Sequence, residues 1–447
     1  MSTKYGKLFK NKNYCKDLAS TVVNRFGDSV DAIASSWIVY ELTGQAAWSA
    51  IIYAINRLPT IFVTPLVGPW VENHCKKNIM IITDIIRAIC VGIMATGLMM
   101  GFLNAPLIGL LSLVISTAEA FRSPAGTAMF PMIVDKESYN EAISLNTSIS
   151  SITELVGTGM AAAIIALIGS SGAIYLDMVT FILSALFIAW MKLPKEELKK
   201  EATASVSGYI HELKDGFKYC AGKKILVVFA FVALFLNGIL VPINSLQTPI
   251  MTEVLKGGPE LLSIMGITIT VSTLLGSLLF PSIRKFLTGK ASIIMMIGLI
   301  VMFYIGLVAA QPLYEKRFGA AIVLIVLCAS LGFGVALGNM YISVEMFNVI
   351  DKSYLARVSG IGGAISCAIT PVAAFIIGIV VKFTSTQTIL IIAGIIAFLF
   401  GIYMLTTSSK AIEEAEAEMK QKNAQSKEMA DAISNTEEGH KNPEPVC

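Results

Sequence analysis

The sequence predicts an all-α membrane protein with twelve transmembrane helices in two six-helix, pseudo-symmetric bundles. Three observations lead to this prediction. The chain of 447 residues is 55% hydrophobic and only 15% charged, whereas a soluble domain carries about 25% charged residues. Twelve segments reach the length of about 20 mostly apolar residues that a bilayer crossing needs. A motif that follows the fourth segment also recurs after the tenth.

The apolar segments divide into six before and six after the longest polar gap. Their expected spans are 17–42, 46–71, 78–101, 105–123, 141–168, 171–192, 225–249, 260–283, 291–311, 318–342, 356–382 and 386–407. Within the gap, Ile210, Leu213, Phe217 and Cys220 share one helical face, which predicts an amphipathic helix lying on the membrane surface.

The repeated motif supports the division into halves. It reads MFPMIVDKESY from Met129 and MFNVIDKSY from Met346. A six-plus-six parallel repeat is typical of transporters whose substrate site lies between two halves that rock against each other.

Lysine and arginine concentrate in the connections after helices 2, 6, 8 and 10, while LTGQAA, GFLNAP and GSSG carry no charge. By the positive-inside rule, both termini face the cytosol of a multi-pass protein of the bacterial inner membrane. The expected organisation is a cytosolic N-terminus (1–16), a first bundle (17–192), a cytosolic linker (193–224), a second bundle (225–407) and a cytosolic, largely disordered tail (408–447).

The first predicted helix contains the unusual stretch NRFGDSVD. Asn24, Arg25, Asp28 and Asp31 fall on one face of the helix, within roughly 120°. A charge at the centre of the bilayer costs about 2.5–3.5 kcal/mol on insertion scales, so this face is expected to point into the bundle. Arg25 lies near the cytosolic edge, where its side chain can reach water.

Further ionisable residues in the first half are candidate partners. They are Arg57, Asp84, Arg87, Glu154 and Asp177. Glu119 and Arg122 lie close to the cytosolic end of the fourth helix, where a surface position is as plausible as an interior one. Burial disfavours the charged form of a carboxyl group and a nearby arginine favours it, so an arginine that moves during rocking switches proton binding. We expect Asp31 and Glu154 to carry protons with Arg57 as the modulating cation, and Arg25, Asp28, Asp84, Arg87 and Asp177 to form a wider charge network. Permanent structural ion pairs are the alternative.

Polar and aromatic side chains in both halves are candidates for substrate binding. They are Trp37, Tyr53, Phe235, Asn237, Asn244 and Asn339. The aromatic members are equally compatible with bundle packing or with anchoring at the membrane interface.

Several function classes find no support in the sequence. It contains no GxxxxGK[ST] phosphate loop, no GxSxG and no HExxH, and its seven cysteines and three histidines form no cluster with metal-ligand spacing. Its basic patches lack the interleaved aromatics of a nucleic-acid surface. We therefore expect no enzyme activity, cofactor, metal or nucleic-acid partner, and we expect a monomer.

Three stretches resemble the major facilitator superfamily, and within it the macrolide-efflux-type branch. They are RFGDSVDAIASSWIVYELTG, FRSPAGTAMFPMIV and YLDMVTFILSAL, and the resemblance extends over residues 14–407. The segment GPWVENHCKK resembles the superfamily's conformational latch loop in Gly68, Glu72, Lys76 and Lys77, with Asn73 in place of an arginine. The resemblance implies efflux of amphiphilic drugs or natural products.

The sequence is thus interpreted as a secondary active transporter that exports an amphiphilic, neutral or cationic small molecule by proton-coupled alternating access. Two alternatives stay open. One is uptake or flipping of a metabolite or lipid-like solute, and the other is a non-transporting sensor on the same fold.

Overall fold

The computed structural model describes residues 6, 8–135, 138–193, 218, 222–284, 286, 289–315, 317–350 and 355–408. Nearly all of these described residues are helical, and none lies in a β-strand. The predicted amphipathic helix around 210–220, most of the linker and the tail from 409 lie outside the described residues, as do Lys136, Asp351 and Lys352 of the repeated motif.

The first half consists of six helices, two of which share one crossing. They are α1 (Lys12–Thr43), α2 (Ala46–Phe62), α3 (Thr64–Glu72), α4 (Lys76–Met100), α5 (Ala105–Ile133) and α6 (Tyr139–Ala189). Helix α1 begins where the Asn11 side chain accepts hydrogen bonds from the backbone N–H groups of Asn13 and Tyr14, and ends at Gly44 in the left-handed conformation (φ 61°).

Helix α6 contains two crossings. The two crossings are joined directly at Gly169, where the non-helical backbone angles (φ 73°, ψ 169°) turn the chain. A positive φ of this kind favours glycine, so the predicted break between 168 and 171 falls at this residue.

The second half is more broken than the first. Its helices are α7 (Lys224–Ile239), α8 (Val241–Ser245), α9 (Pro259–Ile283), α10 (Gly289–Ala309), α11 (Arg317–Val349), α12 (Leu355–Val380) and α13 (Thr386–Tyr403). Pro242 opens α8, and a π-helical turn at Ile250–Val254 completes the crossing that α7 begins.

Two ends of the bundle are distinguished below. The near end carries the start of α1, the end of α6 and the start of α7; the far end carries Gly44, Gly169 and the chain between α12 and α13. Eight described helices are long and apolar enough to cross a membrane. With α6 counted twice and the broken segments joined, the helices agree with twelve crossings in two bundles.

Two helices extend further at the near end than the sequence indicated. Helix α5 runs to Ile133 rather than to residue 123, and α11 runs to Val349 rather than to 342. Pro124 and Pro131 lie inside α5 without ending it, because neighbouring groups in a helix bundle can satisfy the carbonyls that a proline leaves free. The helix ends only where Val134 becomes extended.

Candidate functional site

Two reciprocal ion pairs join α4 to α5. The two helices run antiparallel, and each carries an acid three residues before an arginine. Arg122 Nε donates to Asp84 Oδ1 at 2.5 Å, and Arg87 Nη1 donates to Glu119 Oε2 at 2.9 Å. The antiparallel direction therefore places the acid of each helix beside the arginine of the other.

Helix α1 joins this arrangement through Asp28. Arg87 Nη2 donates to Asp28 Oδ1 at 2.7 Å. With its amide nitrogen facing Asp28, the side chain of Asn24 donates to Asp28 Oδ2 at 2.8 Å and accepts from Arg122 Nη2 at 3.2 Å. One face of α1 thus contacts both arginines through Asn24 and Asp28.

The second crossing of α6 contributes Ser184. Its hydroxyl donates to Asp84 Oδ2 at 2.6 Å and accepts from Arg122 Nη2 at 3.2 Å. The hydroxyls of Ser20 and Ser184 lie 2.8 Å apart. Four crossings therefore meet around the pair of Asp84 and Arg122.

The ion pairs extend from a dry interior to an accessible edge. Asp84 is 0% exposed and Arg87 is 4% exposed, and the Arg87 guanidinium lies 4.0 Å from the centre of the Phe181 ring. The side chains of Asp28 and Glu119 are 33% and 45% exposed. The same arginine therefore contacts groups that water reaches and groups that it does not.

Two further carboxyl groups lie deeper along the network. Buried Asp177 accepts from the Thr180 hydroxyl at 3.1 Å, and Asp31 accepts from the Ser35 hydroxyl at 2.9 Å. Both hydrogen bonds come from the residue's own helix. Gly27 lets α1 approach this point, since a Cβ there would lie 1.9 Å from the Thr180 hydroxyl oxygen and 2.3 Å from Asp177 Oδ1.

We call this set the acidic network. It comprises Asp17, Asp28, Asp31, Asp84, Glu119 and Asp177, together with Arg87 and Arg122. The described residues contain no group of three or more His, Cys, Asp or Glu arranged to hold a metal ion.

The predicted unit of Asp31, Arg57 and Glu154 is not assembled. Arg57 is exposed and lies over the Tyr53 ring at 5.2 Å, while Glu154 is exposed and forms no ion pair among the described residues. The reason lies in the packing: α2 packs against α5 and α12, whereas the first crossing of α6 packs against α1 and α9. Arg25 is also exposed.

The predicted substrate-binding residues are dispersed. Asn244 and Asn339 are exposed, and half-buried Asn237 donates to the Ala233 carbonyl one turn earlier at 3.0 Å. Trp37 packs on the main hydrophobic core, and Tyr53 on a small cluster at the seam between the halves. Phe235 stacks on Phe400 of α13 with ring centres 3.8 Å apart.

The latch loop makes its described contacts within the first half. Lys77 Nζ donates to the carbonyls of Ala189 and Met191 at 2.7 and 2.8 Å, where α6 ends. Nothing lies within 4 Å of a Cβ placed on Gly68. The Glu72 side chain lies outside the described residues. In this state Lys77 caps a helix end of its own bundle, whereas the resemblance implied a contact between the bundles.

Hydrogen bonds between the halves lie at the far end. The hydroxyls of Ser36 and Thr248 are 3.0 Å apart, and Thr248 also donates to the Ser36 carbonyl at 2.8 Å. Tyr40 donates to Glu253 at 2.9 Å. On a second seam, the backbone N–H of Ala162 donates to the Ser263 hydroxyl at 3.2 Å.

Small residues bring the halves together at the same end. A Cβ on Gly378 would lie 3.4 Å from the Ala47 carbonyl, and a Cβ on Gly266 would lie 2.5 Å from the Thr158 methyl group. The far end is therefore closed by close helix packing as well as by hydrogen bonds.

Glu119 and Arg122 were left undecided by the sequence, which placed them at a cytosolic edge where a surface position was as plausible as an interior one. Their spacing indicates that they pair with α4, because the E-x-x-R pattern on one helix matches the D-x-x-R pattern on its antiparallel neighbour. In the second half, Arg284, which directly follows α9, forms an ion pair with Glu345 of α11.

The fold and the inter-half seams define a multi-pass helical transporter built of two bundles. The chain belongs to the transmembrane secretion effector family of the major facilitator superfamily, whose family model matches residues 9–440. This confirms the superfamily and the all-helical membrane fold that the sequence predicted.

Two curated relatives are similar along most of the chain. One is an uncharacterized MFS-type transporter, YkuC, of Bacillus subtilis (strain 168), 24% identical over 79% of this chain and 82% of its own. Macrolide efflux protein A of Streptococcus pyogenes is 23% identical over 79% of this chain and 85% of its own.

Solved structures share the fold. The nucleoside transporter NupG superposes with a TM-score of 0.69 at 16% identity, covering 89% of this chain and 99% of its own. A bacterial homologue of the iron transporter ferroportin, in an inward-facing state, also gives 0.69, at 14% identity over 90% of this chain and 99% of its own.

Proposed function

We propose that this chain exports amphiphilic small molecules across the bacterial inner membrane by alternating access coupled to proton entry, with both termini in the cytosol. The near end is then the cytosolic end, and the closed far end makes this structure an inward-facing state. The macrolide efflux relative supports an amphiphilic substrate for this chain.

The observation that carries the proposal is the charge balance of the acidic network. The network holds six carboxyl groups and two guanidinium groups. Asp28, Asp84 and Glu119 form ion pairs with the arginines, and Asp17, Asp31 and Asp177 lie within electrostatic reach of them. If every carboxyl group were ionised, the interior would hold a large excess of negative charge, at about 2.5–3.5 kcal/mol for each charge at the bilayer centre. Protons are the simplest neutralising species, so we infer that some of these carboxyl groups bind and release protons during transport.

The exposed edge of the network provides a path for the proton. Asp28 and Glu119 share Arg87 and are partly exposed, while Asp31 and Asp177 lie within electrostatic reach of Asp28. Displacement of the guanidinium towards one acid leaves the other without its cation and favours protonation there. We propose that Asp28 and Glu119 receive protons from the cleft and that Asp31 belongs to the same relay.

Exposed polar residues are proposed to line the substrate cleft. Arg25, Arg57 and Glu154 are exposed although they lie within membrane-spanning helices, and contact with acyl chains costs several kcal/mol for a charge. We therefore infer that they face a water-filled cleft between the halves together with Asn244 and Asn339. In this position Glu154 remains a predicted proton carrier.

Growth assays test the proposal. Cells that lack or overproduce this chain are compared on a panel of macrolides, cationic dyes and uncharged antibiotics. We expect resistance to amphiphiles that is lost in Asp28→Asn and retained in Glu41→Gln, an exposed acid at the far end of α1. Unchanged susceptibility at equal protein abundance contradicts export, and dependence of growth on an external metabolite indicates uptake instead.

A further inference from the structure

A lateral groove of about 470 Å³ lies between α7–α8, α12 and α13. Every residue that lines it is apolar, including Phe231, Phe235, Ala373 and Phe400. Its volume falls within the range of small-molecule sites, about 300–1,000 Å³. It is separate from the acidic network, which belongs entirely to the first half.

The groove exists because three helices carry small residues at one depth. They are Gly238 on α7, Ala373 on α12 and Ala393 on α13. Ala373 and Ala393 each lie seven residues from the far end of their helices, at Val380 and Thr386 respectively, or about 10 Å along the helix axis. Gly238 approaches Ile369, which lies one turn before Ala373 on α12. The absence of large side chains at this level opens the space.

Aromatic and branched side chains bound the groove. The parallel rings of Phe235 and Phe400 (interplanar angle 5°) present flat apolar faces to it. Its edges are open, with Phe231, Ile376 and Ile396 each about half exposed. Since these helices cross the membrane, the open side faces the hydrocarbon of the bilayer.

The length of the lining suits one acyl chain. On α7–α8 the lining extends from Phe231 to Pro242, and on α13 from Ile389 to Phe400. At about 1.5 Å per residue each run is about 16 Å long, close to half of the hydrocarbon core of about 30 Å. The lining side chains offer no hydrogen bond, so a polar lipid head group has no partner in the groove. For the same reason the polar segment from residue 409 is not a suitable occupant.

We propose that this groove is a binding site for one acyl chain of a membrane phospholipid. Within the groove the acyl chain contacts three crossings. At this level Gly238 of α7 approaches Ile369 of α12, since a Cβ added to Gly238 would lie 3.4 Å from Ile369 Cγ1. The bound chain therefore fills the space between three crossings of the second half. The groove lies outside the proposed proton path, so this proposal does not depend on the coupling mechanism.

Photo-cross-linking at two neighbouring positions of α13 tests the site. Ile396 lines the groove and Ile395 does not, yet their exposed fractions are nearly equal, 50% and 48%. Each is replaced in turn by p-benzoyl-phenylalanine in the full chain, which is purified in dodecylmaltoside with a few molecules of dioleoylphosphatidylglycerol per protein. Under these conditions detergent outnumbers lipid at the general surface.

The measurement is the fraction of intact protein that gains the mass of one lipid after illumination. We expect a severalfold larger fraction at position 396 than at 395, falling to the level of 395 when Ala373→Trp fills the groove. Equal lipid yields at the two positions overturn the proposal, and so do detergent adducts alone. A product with the mass of two protein chains also overturns it and assigns the groove to a second copy.

Discussion

Arg87 Nη2 lies 2.7 Å from Asp28 Oδ1 while Nη1 of the same side chain lies 2.9 Å from Glu119 Oε2. One guanidinium group therefore connects acids on α1 and α5 to α4. Together with the ion pair of Arg122 and Asp84, it forms the polar centre of the first bundle.

Replacement of Arg87 by methionine is expected to destabilise the first bundle by about 1.5–3 kcal/mol, because it removes the charge-assisted hydrogen bonds to the partly exposed Asp28 and Glu119. Thermal unfolding of the detergent-purified protein, followed by size-exclusion chromatography, measures the effect. Arg25→Met is the matched control, since Arg25 is exposed on α1. Equal unfolding temperatures for the two variants contradict the assignment of Arg87 to the interior.

Replacement of Gly27 by alanine is expected to separate α1 from the second crossing of α6. The added methyl group meets the Thr180 hydroxyl and the Asp177 carboxyl group, and overpacking of this kind costs about 1–3 kcal/mol. Gly298→Ala on α10 is the control, because nothing lies within 4 Å of its added Cβ. If both variants unfold at the wild-type temperature, the close approach at Gly27 is incorrect.

A disulfide between positions 36 and 248 is expected to lock the far end. The hydroxyls of Ser36 and Thr248 are 3.0 Å apart, so cysteines at both positions can meet disulfide geometry. In a background without the native cysteines, oxidation should abolish transport and a reductant should restore it. The single variant Ser36→Cys controls for oxidation itself, and full transport by the oxidised double variant shows that the far end need not open.

Replacement of Lys77 by methionine is expected to weaken the end of α6. It removes two hydrogen bonds to the carbonyls of Ala189 and Met191. A hydrogen bond to a charged group contributes about 1.5–3 kcal/mol to stability. Limited proteolysis near residue 190 should become faster than in Lys10→Met, whose side chain is exposed. Unchanged cleavage would contradict a role for Lys77 in holding the end of α6.

The sequence predicted the crossings well because hydrophobic length is a strong signal in a bilayer. The break at Gly169 and the stop at Gly44 were visible as glycine-containing loops. The ends of α5 and α11 were missed because prolines and polar residues there suggest a loop, and only packing shows that the helix continues.

The site was predicted less completely, for a geometric reason. The sequence identified Asp28, Asp84 and Arg87 as a charge network because charges in apolar helices must find partners. It could not show which helices are neighbours, so it grouped Asp31 with Arg57 and Glu154, which the packing of α2 and α6 separates. The matched spacing of acid and arginine on α4 and α5 is the one feature of the sequence that pointed to the pairing.

The central claim is that substrate export draws protons through the acidic network. It is tested in inside-out membrane vesicles acidified within, using the compound against which the chain confers most resistance and a pH-sensitive dye in the lumen. We predict that accumulation of the compound alkalinises the lumen in wild type and in Glu41→Gln but not in Asp28→Asn. Accumulation that persists at the same rate after an ionophore collapses both the pH gradient and the membrane potential would contradict the account.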